Sequence, residues 1–116
     1  MKLSIVIPAY NEAKTIHLIL DKVKAVNLLN QIEKEIIIIN DCSSDATEDA
    51  IVRYQNENTD VAIAYHKHAQ NKGKGAAIHT GIKKATGDLV IIQDADLEYD
   101  PEEYNILLKP FLMGVA

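Results

Sequence analysis

Two rhythms alternate along the apolar positions of this chain. Short continuous runs occur at residues 3–8 (LSIVIP), 35–40 (EIIIIN), 61–66 (VAIAYH) and 89–93 (LVIIQ). Runs of that length, rich in β-branched residues, predict strands. The unbroken isoleucines at 36–39 predict a strand covered on both faces, as in a parallel sheet. Pro8 closes the first run. Between the runs the spacing changes to that of a helix face. Ile16, Ile19, Leu20 and Val23 form the first stripe, and Thr47, Ala50, Ile51 and Tyr54 the second. Ile78, Ile82 and Ala85 form the third, and Tyr104, Leu107, Leu108 and Phe111 the fourth.

The punctuation agrees with these boundaries. Asp45 followed by Glu48 reads as a capping box for the second helix. The third helix is expected to start near Ala76 and to stop at Gly87 as its C′ residue. Asp100, Pro101 and Glu103 suit the N-cap, N1 and N3 positions of the fourth. Pro110 is expected to end or kink it.

The resulting order, β-α-β-α-β-α-β-α, predicts a Rossmann-like three-layer α/β/α fold with a mainly parallel sheet and right-handed crossovers. Ligands of such sheets bind beyond the carboxyl ends of the strands, where the strand order reverses. Those ends carry PAYNE (8–12), NDCSSD (40–45), HAQNKGKG (68–75) and DADLE (94–98). Polar, glycine-rich and acidic chemistry therefore collects on one edge. There is no internal repeat, linker or low-complexity segment.

Composition narrows the classes of partner. A chain of 116 residues suits one domain with one core. A net charge of -5 argues against a nucleic-acid surface, which needs basic stripes. Cys42 is the single cysteine, so no disulfide can form within the chain, as suits a reducing compartment. No apolar run approaches the roughly 18–20 residues that span a bilayer. MKLSIVIPAYNE reads as a first strand, not as a signal peptide, and a cytoplasmic location is expected.

Each loop has a functional and a plainer reading. Asp94 and Asp96 follow an apolar strand with one residue between them, and such carboxylates repel unless a cation intervenes. Magnesium-type ions take one or two carboxylates plus substrate phosphates; the plainer reading is an acidic turn capping the last helix. Tyr10 offers a flat face, and Asn11 and Glu12 offer hydrogen-bonding groups to a base or ribose, or else to the first helix turn. Asp41 could accept from a base N–H, while Ser44 and Asp45 read as helix caps. In NKGKGAA, Gly73 and Gly75 let the backbone approach a ligand, and Lys72, Lys74 and the helix N-terminus favour an anion. A mobile surface loop is the competing reading, and the G-x-x-x-x-G-K-[ST] pattern is absent. His66 and His68 could be read as a metal pair but lack a third ligand at a suggestive spacing. His17 and His79 need only surface or packing roles, and Cys42 has no base beside it. Taken together, the loops supply a base pocket, an anion loop and a carboxylate pair, the parts that hold a nucleoside diphosphate.

SIVIPAYNE, IIINDCSSDAT, NKGKGAAIHTG and IIQDADLEYDP resemble, in that order and spacing, the nucleotide-binding half of family 2 glycosyltransferases with the GT-A fold. The similarity is greatest to dolichyl- or polyprenyl-phosphate mannosyl- and glucosyltransferases and runs from about Leu3 to Leu108. It implies an enzyme of cell-envelope glycan synthesis that transfers a sugar, with inversion, from a GDP- or UDP-sugar to a polyprenyl-phosphate or glycan acceptor. Pro8, Ala9, Tyr10 and Glu12 would line the base and ribose site, with Asp41 on the base and Lys74 near the diphosphate. Asp94, Ala95 and Asp96 would be the D-x-D. Asp96 would ligate Mg²⁺ or Mn²⁺, Asp94 would support the sugar-phosphate end as a further catalytic carboxylate and ligand, and Glu98 would add a ligand where relatives often have Gln.

Family members continue well beyond PFLMGVA. The resemblance therefore implies that residues 1–116 are one GT-A domain cut short before the acceptor-binding half. Any membrane association would come through the missing C-terminal regions, at the cytoplasmic face. Three other classes compete. A receiver-type signalling module would need an acceptor aspartate after the third strand, where His66, Lys67 and His68 stand. A dinucleotide dehydrogenase would need G-x-G-x-x-G in its first turn. A nucleotidyltransferase would carry a Gly/Arg-rich first loop.

Overall fold

A computed structural model describes residues 1–95 and 100–112. Four strands, β1 (Lys2–Ala9), β2 (Glu33–Asn40), β3 (Ile63–Lys67) and β4 (Leu89–Ile92), form a parallel sheet in the order β3-β2-β1-β4. Four helices alternate with them: α1 (Ile16–Ala25), α2 (Thr47–Glu57), α3 (Lys74–Lys84) and α4 (Tyr104–Leu112). Single 3₁₀ turns at Leu29–Gln31 and Pro101–Glu103 precede β2 and α4. The expected three-layer α/β/α architecture is the one observed.

The register explains the layers. Ile5 lies beside Ile36 and Ile91, and Ile7 beside Ile38. Because successive strand side chains alternate faces, Leu3, Ile5, Ile7, Ile36 and Ile38 point one way and pack with Ile16, Ile19, Leu20, Ile51, Tyr54, Tyr104 and Leu108. Val6, Ile37 and Ile39 point the other way and pack with Ala77 of α3. Isoleucines 36–39 are fully buried on both faces, as their unbroken run implied. Right-handed crossovers that step one way across the sheet put α1 and α2 on one face, and the reverse step from β3 to β4 puts α3 on the other. β1 is the strand at which the direction reverses.

Four local expectations are corrected. First, α3 faces the sheet through Ala77 and Gly81, whereas Ile82 is 50% exposed and Ile78 only partly buried. A Cβ on Gly81 would stand 2.2 Å from Val6 Cγ1, so closeness of approach, and not the most apolar stripe, selects the inner face. Second, Gly87 does not stop α3. The helix ends at an extended Ala85, and the Gly87 N–H donates to Ser4 Oγ at 2.8 Å. Third, Asp45 and Glu48 form no capping box. Asp45 accepts from Thr47 N at 3.0 Å, while Glu48 accepts from Tyr65 Oη and pairs with Lys67, because β3 lies within its reach. Fourth, Leu107 is 56% exposed, so Tyr104 and Leu108 alone carry the described inner face of α4. The side chain expected there from Phe111 lies outside the described residues. Asp100 does cap its turn, accepting from Glu102 N at 3.0 Å, and Pro110 sits inside α4 without ending it.

Candidate functional site

The four strand ends converge on a cleft of about 300 Å³ above β1. Pro8, Ala9, Tyr10, Glu12, Asp41, Lys74, Asp94 and Ala95 line it, together with Asn71, Gly73 and Ala77. Asp96 and Glu98 lie outside the described residues. Residues from four separate stretches of sequence thus meet at one place, brought there by a parallel sheet whose strands all end on the same edge.

The first two loops are tied to each other. Asn11 takes a positive φ of 53° as β1 leaves the sheet. Its N–H donates to Ser43 Oγ at 3.0 Å, and its Oδ1 accepts from Ser44 N at 2.8 Å. Asn11 therefore holds the second loop in place and does not line the cleft. Glu12 N–H donates to Thr47 Oγ1 at 2.9 Å, and Glu12 Oε2 accepts from Thr15 Oγ1 at 2.8 Å. Tyr10 remains 47% exposed at the mouth of the cleft.

Asp41 is engaged by three neighbours. It is buried at the end of β2, where Oδ1 accepts from Lys72 N at 2.8 Å and Oδ2 from Gly73 N at 2.7 Å. His68 Nδ1 is a further 2.8 Å from Oδ1. Burial pushes this carboxyl up, but the Lys72 N–H, the His68 ring and the Gly73 N–H outweigh it and hold the carboxyl below the usual range. A carboxylate offers about four lone-pair sites, so three donors leave roughly one for the cleft. Gly73 sits at φ 94°, a left-handed conformation that suits glycine, and turns the chain into α3.

At the far end, Lys74 Nζ pairs with Asp94 Oδ1, so a positive charge already stands beside the first aspartate of D-x-D. The base of that strand end is anchored beneath. Tyr104 Oη donates to buried Gln93 Oε1 at 2.6 Å, and Gln93 Nε2 donates to Asp94 O at 3.2 Å. Burial pushes the Tyr104 phenol up, which keeps it a neutral donor. Asp94 is an oxygen donor of the kind a hard divalent ion takes. Among the described residues, no group of three His, Cys, Asp or Glu side chains is placed to hold a metal.

His68 has no ring nitrogen to spare for the metal pair already disfavoured by its spacing, and Asn71, not singled out from the sequence, joins the cleft. Both ring nitrogens of His68 are engaged, Nδ1 by Asp41 and Nε2 by Thr80 Oγ1 at 2.9 Å. Asn71 lines the cleft and its Oδ1 accepts from Gly73 N at 3.1 Å. Its sequence signal was an asparagine two residues before the turn glycine, a spacing suited to a local side-chain-to-backbone bond. Cys42 is half-buried with its sulfur 3.6 Å from Ala69 O. No helix of the described residues is long and apolar enough to cross a membrane.

The parallel sheet, with its cleft at the strand ends, is an α/β domain of the GT-A type. The sequence model for glycosyl transferase family 2 matches residues 4–114, and the chain belongs to that family. It is 37% identical over 115 residues to an undecaprenyl-phosphate 4-deoxy-4-formamido-L-arabinose transferase of Photorhabdus laumondii, covering 97% of this chain and 34% of the relative. It is 35% identical to a dolichyl-phosphate beta-glucosyltransferase of Trichomonas vaginalis, over 92% of this chain and 34% of the relative. The chain thus spans about a third of the length of these relatives. Among solved structures, the Pyrobaculum calidifontis mannosyltransferase PcManGT, in complex with GDP-Man and Mn²⁺, superposes with a TM-score of 0.78 at 27% identity, over 88% of this chain and 29% of that one. S. aureus TarS 1-349 with UDP-GlcNAc gives 0.80 at 26% identity, over 98% and 32%. The receiver-type alternative is set aside: β3 ends at Lys67 with His68 following, and family membership is clear.

Proposed function

We propose that residues 1–116 form the donor-binding part of a metal-dependent transferase that moves a sugar, with inversion, from a UDP- or GDP-sugar to a polyprenyl-phosphate or glycan acceptor. The observation that carries this reading is the convergence of Tyr10, Asp41, Lys74 and Asp94, from four strand ends, on one cleft. The acceptor half belongs to the longer relatives' remaining length. We place the whole protein in the cytoplasm, at the membrane face where a lipid-phosphate acceptor would be met.

The lining of the cleft supports the roles of Tyr10, Asp41, Lys74 and Asp94, and the family resemblance those of Asp96 and Glu98. Tyr10 presents its ring to the base, and the remaining lone pair of Asp41 accepts from a base N–H. The N-terminus of α3, whose dipole favours an anion, and the Lys74 side chain receive the diphosphate. Asp94, Asp96 and Glu98 would hold Mg²⁺ or Mn²⁺, whose bound charge would neutralise the departing nucleoside diphosphate. Lys74 holds Asp94 in place until then. A lipid-phosphate acceptor is already anionic and needs no strong base, so most of the rate comes from positioning and electrostatics.

Calorimetric titration with UDP and GDP, with and without Mn²⁺, tests the reading. Metal-dependent binding that weakens at least about tenfold in Asp96→Ala, as expected for loss of a charged ligand, supports it. Equal affinity with and without metal, or an unaffected Asp96→Ala protein, overturns it.

A further inference from the structure

Beneath the cleft, His68 joins three elements that the sequence keeps apart. It is 8% exposed, directly after β3. Its Nδ1 lies 2.8 Å from Asp41 Oδ1 at the end of β2, and its Nε2 lies 2.9 Å from Thr80 Oγ1 on α3. An ionised carboxylate can only accept, so Nδ1 must carry the proton. The same Oδ1 takes the Lys72 N–H, and Oδ2 takes the Gly73 N–H. Asp41 is therefore held between an imidazole on one side and the loop backbone on the other. His68 does not line the cleft, and so touches ligand only through Asp41.

We propose that His68 is a positioning residue of the nucleotide cleft: its Nδ1–H aims the Asp41 carboxylate, and its bond to Thr80 locks that carboxylate to the helix bearing Lys74. The inference rests on the nucleotide-binding reading above and deepens it. Its consequence is that the nucleoside end and the diphosphate end of the cleft form one rigid unit. Without the imidazole donor, Asp41 is held by the loop backbone alone and its carboxylate is less firmly aimed. The backbone of Lys72 and Gly73 then follows it.

Two variants separate this role from simple packing. Asparagine places an amide N–H near the position of Nδ1, so His68→Asn keeps the donor to Asp41 but loses the reach to Thr80. His68→Leu keeps the bulk and loses the donor. In titrations of UDP and GDP with Mn²⁺, His68→Leu, which loses both the donor to Asp41 and the tie to Thr80, is expected to bind about tenfold more weakly than wild type, and His68→Asn, which loses the tie alone, about threefold more weakly. A His68→Leu protein that binds like wild type, or the two variants weakened equally, overturns the proposal. Two readouts need no nucleotide. Nitrogen-15 NMR of the wild-type ring must show Nδ1 protonated, and amide exchange at Lys72 and Gly73 must quicken in His68→Leu. An unprotonated Nδ1 overturns the proposal whether or not the leucine variant folds. If wild type binds neither nucleotide, the functional reading fails, while the ring proton and the two amides still decide the positioning claim.

Discussion

Gly81 is the point at which the fold and the cleft depend most on a single missing atom. A Cβ there would meet Val6 Cγ1 at 2.2 Å and Val6 Cβ and Cγ2 at 3.2 Å. Carbon atoms sit comfortably about 3.5–4.0 Å apart, so α3 must retreat by more than about 1 Å or Val6 must leave its place. Val6 is fully buried between β2 and β4, and a β-branched side chain has few rotamers to offer. Overpacking of this kind costs about 1–3 kcal/mol, and a clash this deep belongs at the upper end. Alanine recovers up to about 1 kcal/mol of helix propensity, leaving Gly81→Ala about 2 kcal/mol less stable. Gly75 in the same helix has nothing within 4 Å of its would-be Cβ. Gly75→Ala therefore takes the propensity alone and gains up to about 1 kcal/mol. Urea denaturation followed by circular dichroism, with the slope unchanged between variants, reads both values. Val6→Ala removes the clashing methyl and is expected to cancel most of the Gly81→Ala cost in a double-mutant cycle. Because Lys74 rides on the first turn of α3, the retreat also draws it from Asp94, and nucleotide affinity falls with stability. Equal stability of the two alanine variants refutes the close-packing account of α3.

Acid should loosen the second loop before the sheet. The folded Asp41 carboxyl is held below its usual range, so its contribution is complete above about pH 4, the unfolded value. As the pH falls through the folded value the unfolded chain has already taken up its proton, and that stability is lost. Glu35, held down by Ser4 and Thr86 against its own burial, contributes in the same direction. Denaturation midpoints from pH 2 to 7 are expected to fall below about pH 4. They should do so less steeply in Asp41→Asn, which itself loses about 1–3 kcal/mol at pH 7 by turning a donor toward buried N–H groups. A steeper acid slope in the variant refutes the assignment. Tyr10→Ala should leave stability within about 0.5 kcal/mol, since the ring is half-exposed. It should weaken UDP or GDP binding at least about fivefold if the base stacks there. Unchanged affinity removes Tyr10 from the site.

Much of this was written locally. The four isoleucines of β2, the α1 stripe of Ile16, Ile19, Leu20 and Val23, and the Asp100-Pro101 helix start are each determined by neighbours within a turn or two. Their alternation settles a parallel sheet, and a parallel sheet puts every strand's following loop on one edge. Sequence alone therefore collected Tyr10, Asp41, Lys74 and Asp94 at one edge. Tertiary structure decided what periodicity does not encode, namely how near two elements come and what each polar group finds when they meet. Ile78 and Ile82 are the more apolar pair on α3, yet Ala77 and Gly81 face the sheet, because the helix sits too close for anything larger. Glu48 reaches Lys67 instead of its own helix end, and His68 bridges Asp41, 27 residues away, to Thr80, 12 residues away. Such partners are chosen by distance across the fold, and distance exists only once the chain has closed upon itself.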